Sequence, residues 1–310
     1  MRAPAKINLH LSVGAARSDG YHALTTVYQA VSLYDEITAS AARGMSSTVT
    51  GEGAREVPGG QANLAVRAAR LLAKHTGTTA KARLSISKSI PVAAGLAGGS
   101  ADAAGALVAC DALWDIGMER ADLLALAAEL GSDVPFSLSG GTALGTGRGE
   151  QLSPVLARGQ YHWVLAFAEG GLSTPEVYAE YDRLVVERPR LAVPPDAVLA
   201  ALRAGDPVQL GQALHNDLQD AALKLRPDLR RVIETSLELG ALAGIVSGSG
   251  PTCALLARSA ADSVDLAARL AGAGVCRKVA RATGPVSGVR IVPSPDDADA
   301  GGSDRLSGRR

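Results

Sequence analysis

The sequence predicts an α+β protein with two domains, and three observations carry this prediction. The chain has 310 residues, 47% of them hydrophobic, so it can form a large core and is long enough for two domains. Segments with strand-like and helix-like patterns follow one another, without an internal repeat. A glycine-rich stretch at residues 140–150 has the composition of a loop, and we place the domain boundary shortly after it. The predicted domains are residues 1–155 and 156–292, and residues 293–310 have the composition of a disordered tail.

The composition argues against several classes of partner. Lys plus Arg and Asp plus Glu number 31 each, and this zero net charge argues against a general nucleic-acid binder. The three cysteines form no Cys-x-x-Cys pair, which argues against a disulfide framework or a cysteine-based zinc site. A stretch of 19 uncharged residues at 239–257 contains four glycines and Pro251, so it predicts a tight turn between two strands rather than a membrane span. We therefore expect a soluble cytoplasmic protein with no targeting segment and no membrane partner.

The first predicted strand carries a lysine on its polar face. Apolar and polar residues alternate from residue 6 to residue 13, which indicates a half-buried strand. Its polar side includes Lys6, Asn8 and His10. A lysine on a first strand is commonly a solvated edge residue. However, only six of the 31 cationic residues are lysines, and this scarcity favours a functional site for Lys6.

Helix and strand signals cover most of the remaining chain. Asn63 is predicted to cap a helix at residues 63–75 that ends before Gly77. Pro135 disfavours a helical conformation at Val134. Further helices are expected up to residue 114 and at 119–130, 176–186, 208–214, 227–240 and 260–271, and further strands at 83–90, 161–168, 245–246, 253–257 and 289–292.

The glycine-rich segment at residues 91–104, between a predicted strand and a predicted helix, is a candidate phosphate loop. Glycines let the backbone approach a phosphate closely, and the first turn of the helix offers free N–H groups. A Walker A loop is excluded because no lysine precedes Ser100, and a dinucleotide fingerprint is excluded because Ala97 and Ser100 occupy two of its glycine positions. The alternative is a tight turn that binds nothing, and this segment alone does not separate the two.

Two further features are ambiguous when each is taken alone. Asp133 follows a predicted helix end, where an aspartate is most often a turn residue but can also be a base or a metal ligand. The second glycine-rich turn, at residues 244–253, is most simply a hairpin. The four histidines other than His22 show no metal-ligand spacing.

The order of these motifs resembles that of the GHMP kinase superfamily over residues 3–292. The matching segments are Pro-Ala-Lys-Ile-Asn-Leu at 4–9, Asp-Gly-Tyr-His at 19–22, the glycine-rich segment at 91–104, Gly-Ser-Asp-Val-Pro at 131–135 and Ser-Gly-Ser-Gly-Pro-Thr at 247–252. The resemblance implies an N-terminal domain like domain 2 of ribosomal protein S5, a C-terminal α/β sandwich, and an active site in the cleft between them. Ala94 and Ala97 depart from the more glycine-rich family loop, and backbone approach should survive if neither needs a positive φ.

Within the superfamily, the first two segments are most similar to kinases of the non-mevalonate isoprenoid pathway. The resemblance implies transfer of the γ-phosphate of ATP to the 2-hydroxyl of a cytidine-diphosphate-linked methylerythritol. Asp133 would accept the proton of that hydroxyl, and Lys6 would orient Asp133, keep it ionised and stabilise charge on the transferring group. The alternatives are a kinase for a mevalonate- or homoserine-type alcohol and a non-catalytic nucleotide- or sugar-binding sensor. The chain would act as a monomer or a homodimer.

The same resemblance assigns the remaining site residues. Ser100 would lie near the phosphates and Mg²⁺, and His22 would bond the cytosine edge while an aromatic ring stacks on the base. The residues expected at the ATP site are Pro91, Val92, Ala93, Ala94, Gly95, Leu96, Ala97, Gly98, Gly99, Ser100, Ala101, Asn63 and Lys88. Those expected at the second substrate are Asn8, Tyr21, His22, Thr174, Gly248 and Ser249.

Overall fold

The computed structural model describes residues 1–16, 20–187 and 192–292, and their strands form two sheets. The predicted tail at 293–310 lies outside the described residues, as does Asp19. Within the described part, no helix has both the length and the apolar character needed to cross a membrane. The first half contains β1 (Arg2–Ala16), β2 (His22–Ala41), β3 (Ser46–Gly51), α1 (Leu64–Thr76), β4 (Ala82–Lys88), α2 (Gly98–Leu113), α3 (Arg120–Leu130), α4 (Val134–Ser139), β5 (Thr142–Thr146) and β6 (Gln151–Pro154). The second half contains β7 (Tyr161–Phe167), α5 (Thr174–Glu187), α6 (Asp196–Ala204), α7 (Pro207–Ala213), β8 (His215–Asn216), α8 (Gln219–Leu225), α9 (Asp228–Glu238), β9 (Ala243–Val246), β10 (Cys253–Ala257), α10 (Ala260–Ala273) and β11 (Lys278–Gly284).

The larger sheet is organised around the long antiparallel pair of β1 and β2. Its strand order is β3-β4-β2-β1-β8, and β5 pairs with both β2 and β6. The register sets Asn8 opposite Tyr28 and Lys6 opposite Ala30. Strand β8 comes from the second half of the chain and runs parallel to β1, through His10 and Leu11. The polar residues of β1 therefore meet residues that lie about 200 positions later.

The expectation that β1 is half buried is wrong, because both of its faces are covered. Ile7 and Leu9 are fully buried in the core, as the alternation predicts. On the polar face, Lys6 is only 6% exposed and Asn8 only 3%. Buried polar groups need partners, and Asn8 finds one in Thr26 on β2, while Ser12 finds one in Asp217 from the second half of the chain. Among the described residues, the buried Nε2 atom of His10 has no hydrogen-bond partner.

Helix α2 packs on the apolar face of this sheet, and α1 packs against α2 in the same core. The Asn63 side chain accepts N–H bonds from Ala65 and Val66, and Gly77 has φ 70°, so both predicted ends of α1 are confirmed. Helix α2 is rich in small residues and packs closely on β2. A Cβ on Gly105 would lie 2.6 Å from the Cδ1 atom of Ile37, which explains the glycine at this position.

Two predictions around the end of the first half are wrong. Val134 is helical, and it begins α4 with Pro135 as the second residue. Proline is tolerated there because the N–H groups of a first helical turn need no intrahelical acceptor. The stretch at 140–150 is not a loop throughout, since Thr142–Thr146 forms β5 and pairs with β2. Strand pairing outweighs the local glycine signal here.

The second sheet is antiparallel, with the order β11-β7-β10-β9. The turn predicted within residues 239–257 joins β9 to β10, as expected. The strand predicted at 289–292 is wrong: in this segment Arg290 makes a single bridge to Arg2, and the last strand of the sheet is Lys278–Gly284. That strand has only two buried residues, so its sequence lacks the apolar alternation that the prediction relied on.

Candidate active site

A cavity of about 860 Å³ lies where the two halves of the chain meet. It brings together nearly all of the site residues predicted from the sequence. The exceptions are Leu96 and Ala101, whose side chains are buried in the hydrophobic core at 1% and 0% exposure. The cavity is also lined by residues that the sequence did not assign, among them Tyr28, Asp102, Arg148, Tyr178 and Asp182.

Lys6 and Asp133 face each other across this cavity. The Lys6 Nζ atom is 3.8 Å from the Asp133 Oδ2 atom, and it donates a hydrogen bond of 2.7 Å to the Asn8 Oδ1 atom. Asn8 in turn donates to the Thr26 hydroxyl at 2.8 Å. This chain of hydrogen bonds orients the ammonium, since the amide of Asn8 is itself fixed by Thr26.

Asp133 is held by its tertiary partners and not by its own helix. It precedes α4, yet its carboxylate makes no capping bond to the first turn. Instead, the Tyr28 hydroxyl donates to the Asp133 Oδ1 atom at 3.1 Å. Burial, together with the charge of Asp133, raises the pKa of Tyr28 well above its ordinary value, so this hydroxyl remains a donor. The side chain of Asp133 is 31% exposed and opens toward the cavity.

The glycine-rich segment forms a tight turn into α2. Gly95 has φ 76°, and Ala97, which precedes the helix, has φ 58°. Ala97 therefore adopts the positive φ that would favour glycine, whereas Ala94 does not. The first intrahelical bond is donated by Ala101 to the Ala97 carbonyl. The N–H groups at 98–100 precede this bond, and the residues that carry them line the cavity. Such N–H groups in the first turn of a helix are the donors that bind anions at helix N-termini.

The two glycine-rich turns contact each other. The Ser247 hydroxyl donates to the Gly95 carbonyl at 3.0 Å, and the Thr252 N–H donates to the Ala94 carbonyl at 3.3 Å. A Cβ on Gly248 would lie 3.3 Å from the Lys6 Nζ atom. The second turn therefore lies against both the first turn and Lys6 of the Lys6–Asp133 pair, and it is more than a plain hairpin.

Asn216 fixes the second turn from behind. Its Nδ2 atom donates to the carbonyls of Val246 and Gly248, each at 2.8 Å, while its Oδ1 atom accepts from the Leu218 N–H. At the rim of the same turn, the hydroxyls of Thr174 and Ser249 are 2.8 Å apart. These bonds hold the turn between β9 and β10 against β1.

Lys88 is paired with two buried carboxylates. Its Nζ atom donates to the Asp35 Oδ2 atom at 2.5 Å and to the Asp102 Oδ2 atom at 2.7 Å. Burial would lower the pKa of Lys88, but Asp102 and Asp35 raise it above its ordinary value. Burial raises the pKa of Asp102 to about 7, and its buried Oδ1 atom has no hydrogen-bond partner in the part of the chain that the structure describes. Lys88 lines the cavity, but its charge is already neutralised.

Aromatic side chains around His22 line another part of the cavity, which we call the aromatic end. The His22 ring stacks on Tyr178 at a centroid distance of 5.1 Å, and its Nε2 atom is 2.8 Å from the Asp182 Oδ1 atom. Tyr21 is 54% exposed, and the guanidinium of Arg148 lies 5.3 Å from its ring centroid. This end offers flat apolar surfaces together with polar ring nitrogens, which suits a planar heterocycle.

Comparison with known proteins decides the family. The family models of the GHMP kinases N terminal domain and the GHMP kinases C terminal match residues 63–141 and 198–276. A 4-diphosphocytidyl-2-C-methyl-D-erythritol kinase of Mycolicibacterium gilvum (strain PYR-GCK) is 58% identical over 302 residues, covering 96% of this chain and 94% of that protein. The chain belongs to the GHMP kinase family.

Further comparisons agree with the assignment of this chain to the GHMP kinase family. A protein of the same name from Mycobacterium tuberculosis (strain ATCC 25177 / H37Ra) is 56% identical, covering 96% of this chain and 94% of that protein. The crystal structure of a 4-(cytidine 5'-diphospho)-2C-methyl-D-erythritol kinase has a TM-score of 0.73 at 36% identity, covering 91% of this chain and 98% of that chain. Mevalonate kinase of L. major in complex with R-mevalonate has a TM-score of 0.72 at 16% identity, covering 93% and 96% of the two chains, and shares the fold alone.

The predicted GHMP kinase fold and the small-molecule kinase class are therefore confirmed. The boundary near residue 155 stays a prediction, because it falls in the interval between the two matched segments. Tyr28, Tyr178 and Asp182 of this GHMP kinase have no local sequence signal, and they enter the site only through strand register and helix packing.

Proposed function

We propose that this GHMP kinase phosphorylates the 2-hydroxyl of 4-diphosphocytidyl-2-C-methyl-D-erythritol with ATP, in the non-mevalonate isoprenoid pathway. The observation that carries the proposal is one continuous cavity that joins the Lys6–Asp133 pair, a helix N-terminus and an aromatic end with His22. The names of the relatives at 56–58% identity agree with it. A cytoplasmic location and a monomeric or homodimeric state belong to the same proposal.

In this proposal Asp133 accepts the proton of the attacking hydroxyl. The Lys6 ammonium, at 3.8 Å from Asp133, favours the ionised carboxylate and stabilises negative charge on the group being transferred. The Tyr28 hydroxyl, at 3.1 Å, restricts the rotation of the carboxylate. A compact ammonium suits this position because it acts as a point charge between carboxylate and phosphate. This explains a lysine here in a chain where 25 of the 31 cationic side chains are arginines. Phosphoryl transfer mainly requires such alignment and charge stabilisation.

The turn into α2 would hold the phosphates of ATP. The free N–H groups at 98–100 supply donors and a positive helix end without a cationic side chain. This arrangement explains how a chain of zero net charge can bind polyanionic substrates. Asn63 and Lys88 also line the cavity, and we assign them to the adenosine or its phosphates.

Mg²⁺ would be held by the Ser100 hydroxyl together with oxygens of the phosphates. The donor set fits a weakly held Mg²⁺, because this ion prefers oxygen ligands and usually keeps several waters. Among the described residues, no group of three or more His, Cys, Asp or Glu side chains could form a metal cage. The bound ion would neutralise phosphate charge.

The aromatic end would bind the cytidine. His22 would bond the edge of the base, with Tyr21 and Tyr178 providing ring surfaces. Asn8 and Thr174 would contact the polar part of the substrate, beside the second turn with Gly248 and Ser249.

A coupled assay of ADP release tests the proposal. The purified protein is offered ATP and Mg²⁺ with 4-diphosphocytidyl-2-C-methyl-D-erythritol, mevalonate or homoserine in separate reactions. We expect turnover of the first alcohol at least a hundredfold above the other two. Turnover of mevalonate or homoserine alone would overturn the substrate assignment, and no turnover of any alcohol would favour a sensor.

A further inference from the structure

Asp182 and His22 are joined by a contact across 160 positions of the chain. The Nε2 atom of His22, at the start of β2, lies 2.8 Å from the Oδ1 atom of Asp182 in α5. The side chain of His22 is only 9% exposed, whereas that of Asp182 is 52% exposed. We propose that Asp182 is a positioning residue that fixes the tautomer of His22, and that it thereby makes the site select cytosine over uracil. The inference rests on the proposed function, because it concerns the base of that substrate.

Three residues on one face of α5 hold the His22 ring. Tyr178, Tyr181 and Asp182 are spaced three and four positions apart, so their side chains project from the same side of the helix. Tyr178 stacks on the ring with an interplanar angle of 29°, and Tyr181 meets it edge-on at 83°. The Tyr181 hydroxyl donates to the Val13 carbonyl at 2.8 Å, which anchors this face to β1. The ring of His22 is therefore fixed in plane as well as in position.

The Asp182 carboxylate decides which ring nitrogen of His22 carries the proton. An ionised carboxylate only accepts hydrogen bonds, so the Nε2 atom of His22 must be the donor in this contact. In a neutral imidazole the Nδ1 atom is then a bare acceptor. Because the Nε2 atom is bonded to Asp182 on α5, we infer that Nδ1 is the nitrogen available to a ligand in the cavity that His22 lines.

An acceptor at this position distinguishes two pyrimidines. Cytosine carries an amine on C4, which donates, whereas uracil carries a carbonyl there, which accepts. The amine can pair with the Nδ1 atom of His22, but the carbonyl would face it with two lone pairs opposed. A site that is built to bond one group rejects an analogue lacking that group more strongly than an apolar pocket would.

The test compares two substrates and four proteins. Wild type, Asp182→Asn, His22→Ala and the double variant are assayed by ADP release with the cytidine-diphosphate substrate and its uridine counterpart. An asparagine can donate as well as accept, so it no longer specifies the tautomer. For Asp182→Asn we expect a roughly tenfold higher KM for the cytidine substrate, with kcat and the KM of ATP within twofold of wild type. The ratio of kcat/KM for cytidine over uridine should fall at least tenfold, as expected for a lost polar contact of about 1.4 kcal/mol.

Glu187→Gln is the matched control. Glu187 lies on the same helix with a side-chain exposure of 52%, and it pairs with Arg183 outside the cavity. This variant should keep both kinetic constants and the base preference. Asp182→Glu, which keeps an acceptor-only group, should restore part of the preference that Asp182→Asn loses.

Each outcome decides the inference. If Asp182→Asn keeps the cytidine preference within twofold, Asp182 does not set that preference. If Asp182→Asn lowers the preference as much in the His22→Ala protein as in wild type, Asp182 does not act through His22. If wild type prefers the cytidine substrate and Asp182→Asn keeps that preference, only this inference is overturned. A wild type that does not phosphorylate the cytidine substrate overturns the proposed function as well.

Discussion

The hydroxyl of Ser247 donates to the carbonyl of Gly95 at 3.0 Å and thereby joins two turns that are 152 positions apart. Gly95 belongs to the turn that leads into α2, and Ser247 begins the turn between β9 and β10. A Cβ on Gly95 would lie 2.1 Å from the Ser247 carbonyl oxygen. The glycine is therefore required by the contact between the two halves of the chain, in addition to its φ of 76°.

The first prediction is that Gly95→Ala destabilises the protein. The methyl group would overlap a backbone carbonyl and would occupy a left-handed conformation, so we expect a loss of about 2–4 kcal/mol in the free energy of unfolding. Urea unfolding monitored by circular dichroism measures it. Gly99→Ala is the control, because its Cβ would meet nothing within 4 Å and its φ is not positive. Equal stabilities of the two variants would contradict the close approach of the turns.

The second prediction concerns the reactive pair. Asp133→Asn removes the proton acceptor but keeps the shape and the bond from Tyr28, so kcat should fall about 10²–10⁴-fold. ATP binding, measured by isothermal titration calorimetry, should stay within threefold, because the helix N-terminus is untouched. Asp122→Asn, an exposed position on α3, is the control and should keep the wild-type rate. A near-normal kcat for Asp133→Asn would make Asp133 a turn residue without a catalytic role.

Short motifs explain why the reactive centre could be predicted from sequence. Lys6, Asp133 and the segment at 91–100 each belong to a contiguous pattern, and the structure brings these patterns into one cavity. Tyr28 could not be predicted in the same way, because its role follows from strand register, which sets it opposite Asn8. Asp182 depends on the packing of α5, which no local signal describes.

The burial of the polar face of β1 could not be predicted from the sequence either. Period-two alternation indicates one apolar face, but it does not state what covers the polar face. Asp217, the residue after β8, accepts a hydrogen bond from the Ser12 hydroxyl and so satisfies part of that face from 205 positions away. Similarly, β11 forms by pairing with β7 despite a weak apolar pattern. Long-range pairing, rather than local propensity, decides both cases.

The third prediction concerns Ala94 and Ala97, the two alanines of the glycine-rich turn. Ala97 has φ 58°, a conformation that costs an L-residue about 1 kcal/mol, whereas Ala94 has no positive φ and is 7% exposed. Ala97→Gly should therefore raise the free energy of unfolding by about 0.5–1 kcal/mol. Ala94→Gly should lower it by a similar amount, because it loses a buried methyl and gains backbone entropy in the unfolded chain. Urea unfolding of both variants checks the signs, and two changes of the same sign would contradict the assigned backbone.

The fourth prediction follows from Lys88, the cation that Asp35 and Asp102 share. Burial raises the pKa of Asp102 from its ordinary 3.8 to about 7, although Lys88 opposes the shift. Between these two values the folded protein holds a proton that the unfolded chain has released. The free energy of unfolding therefore contains a contribution that falls as the pH rises from about 4 to about 7, with a slope of at most about 1.4 kcal/mol per pH unit.

Asp102→Asn removes this contribution while keeping an oxygen that accepts from Lys88. The variant should therefore gain stability relative to wild type as the pH rises from 5 to 8, and the difference should stop growing above about pH 7. Urea unfolding at pH 5, 6, 7 and 8 measures the difference, in which the titration of all other groups cancels. Asp122→Asn, on the exposed face of α3, should show no such trend. A difference that is independent of pH would mean that Asp102 is already ionised at pH 5, with Lys88 compensating both carboxylates.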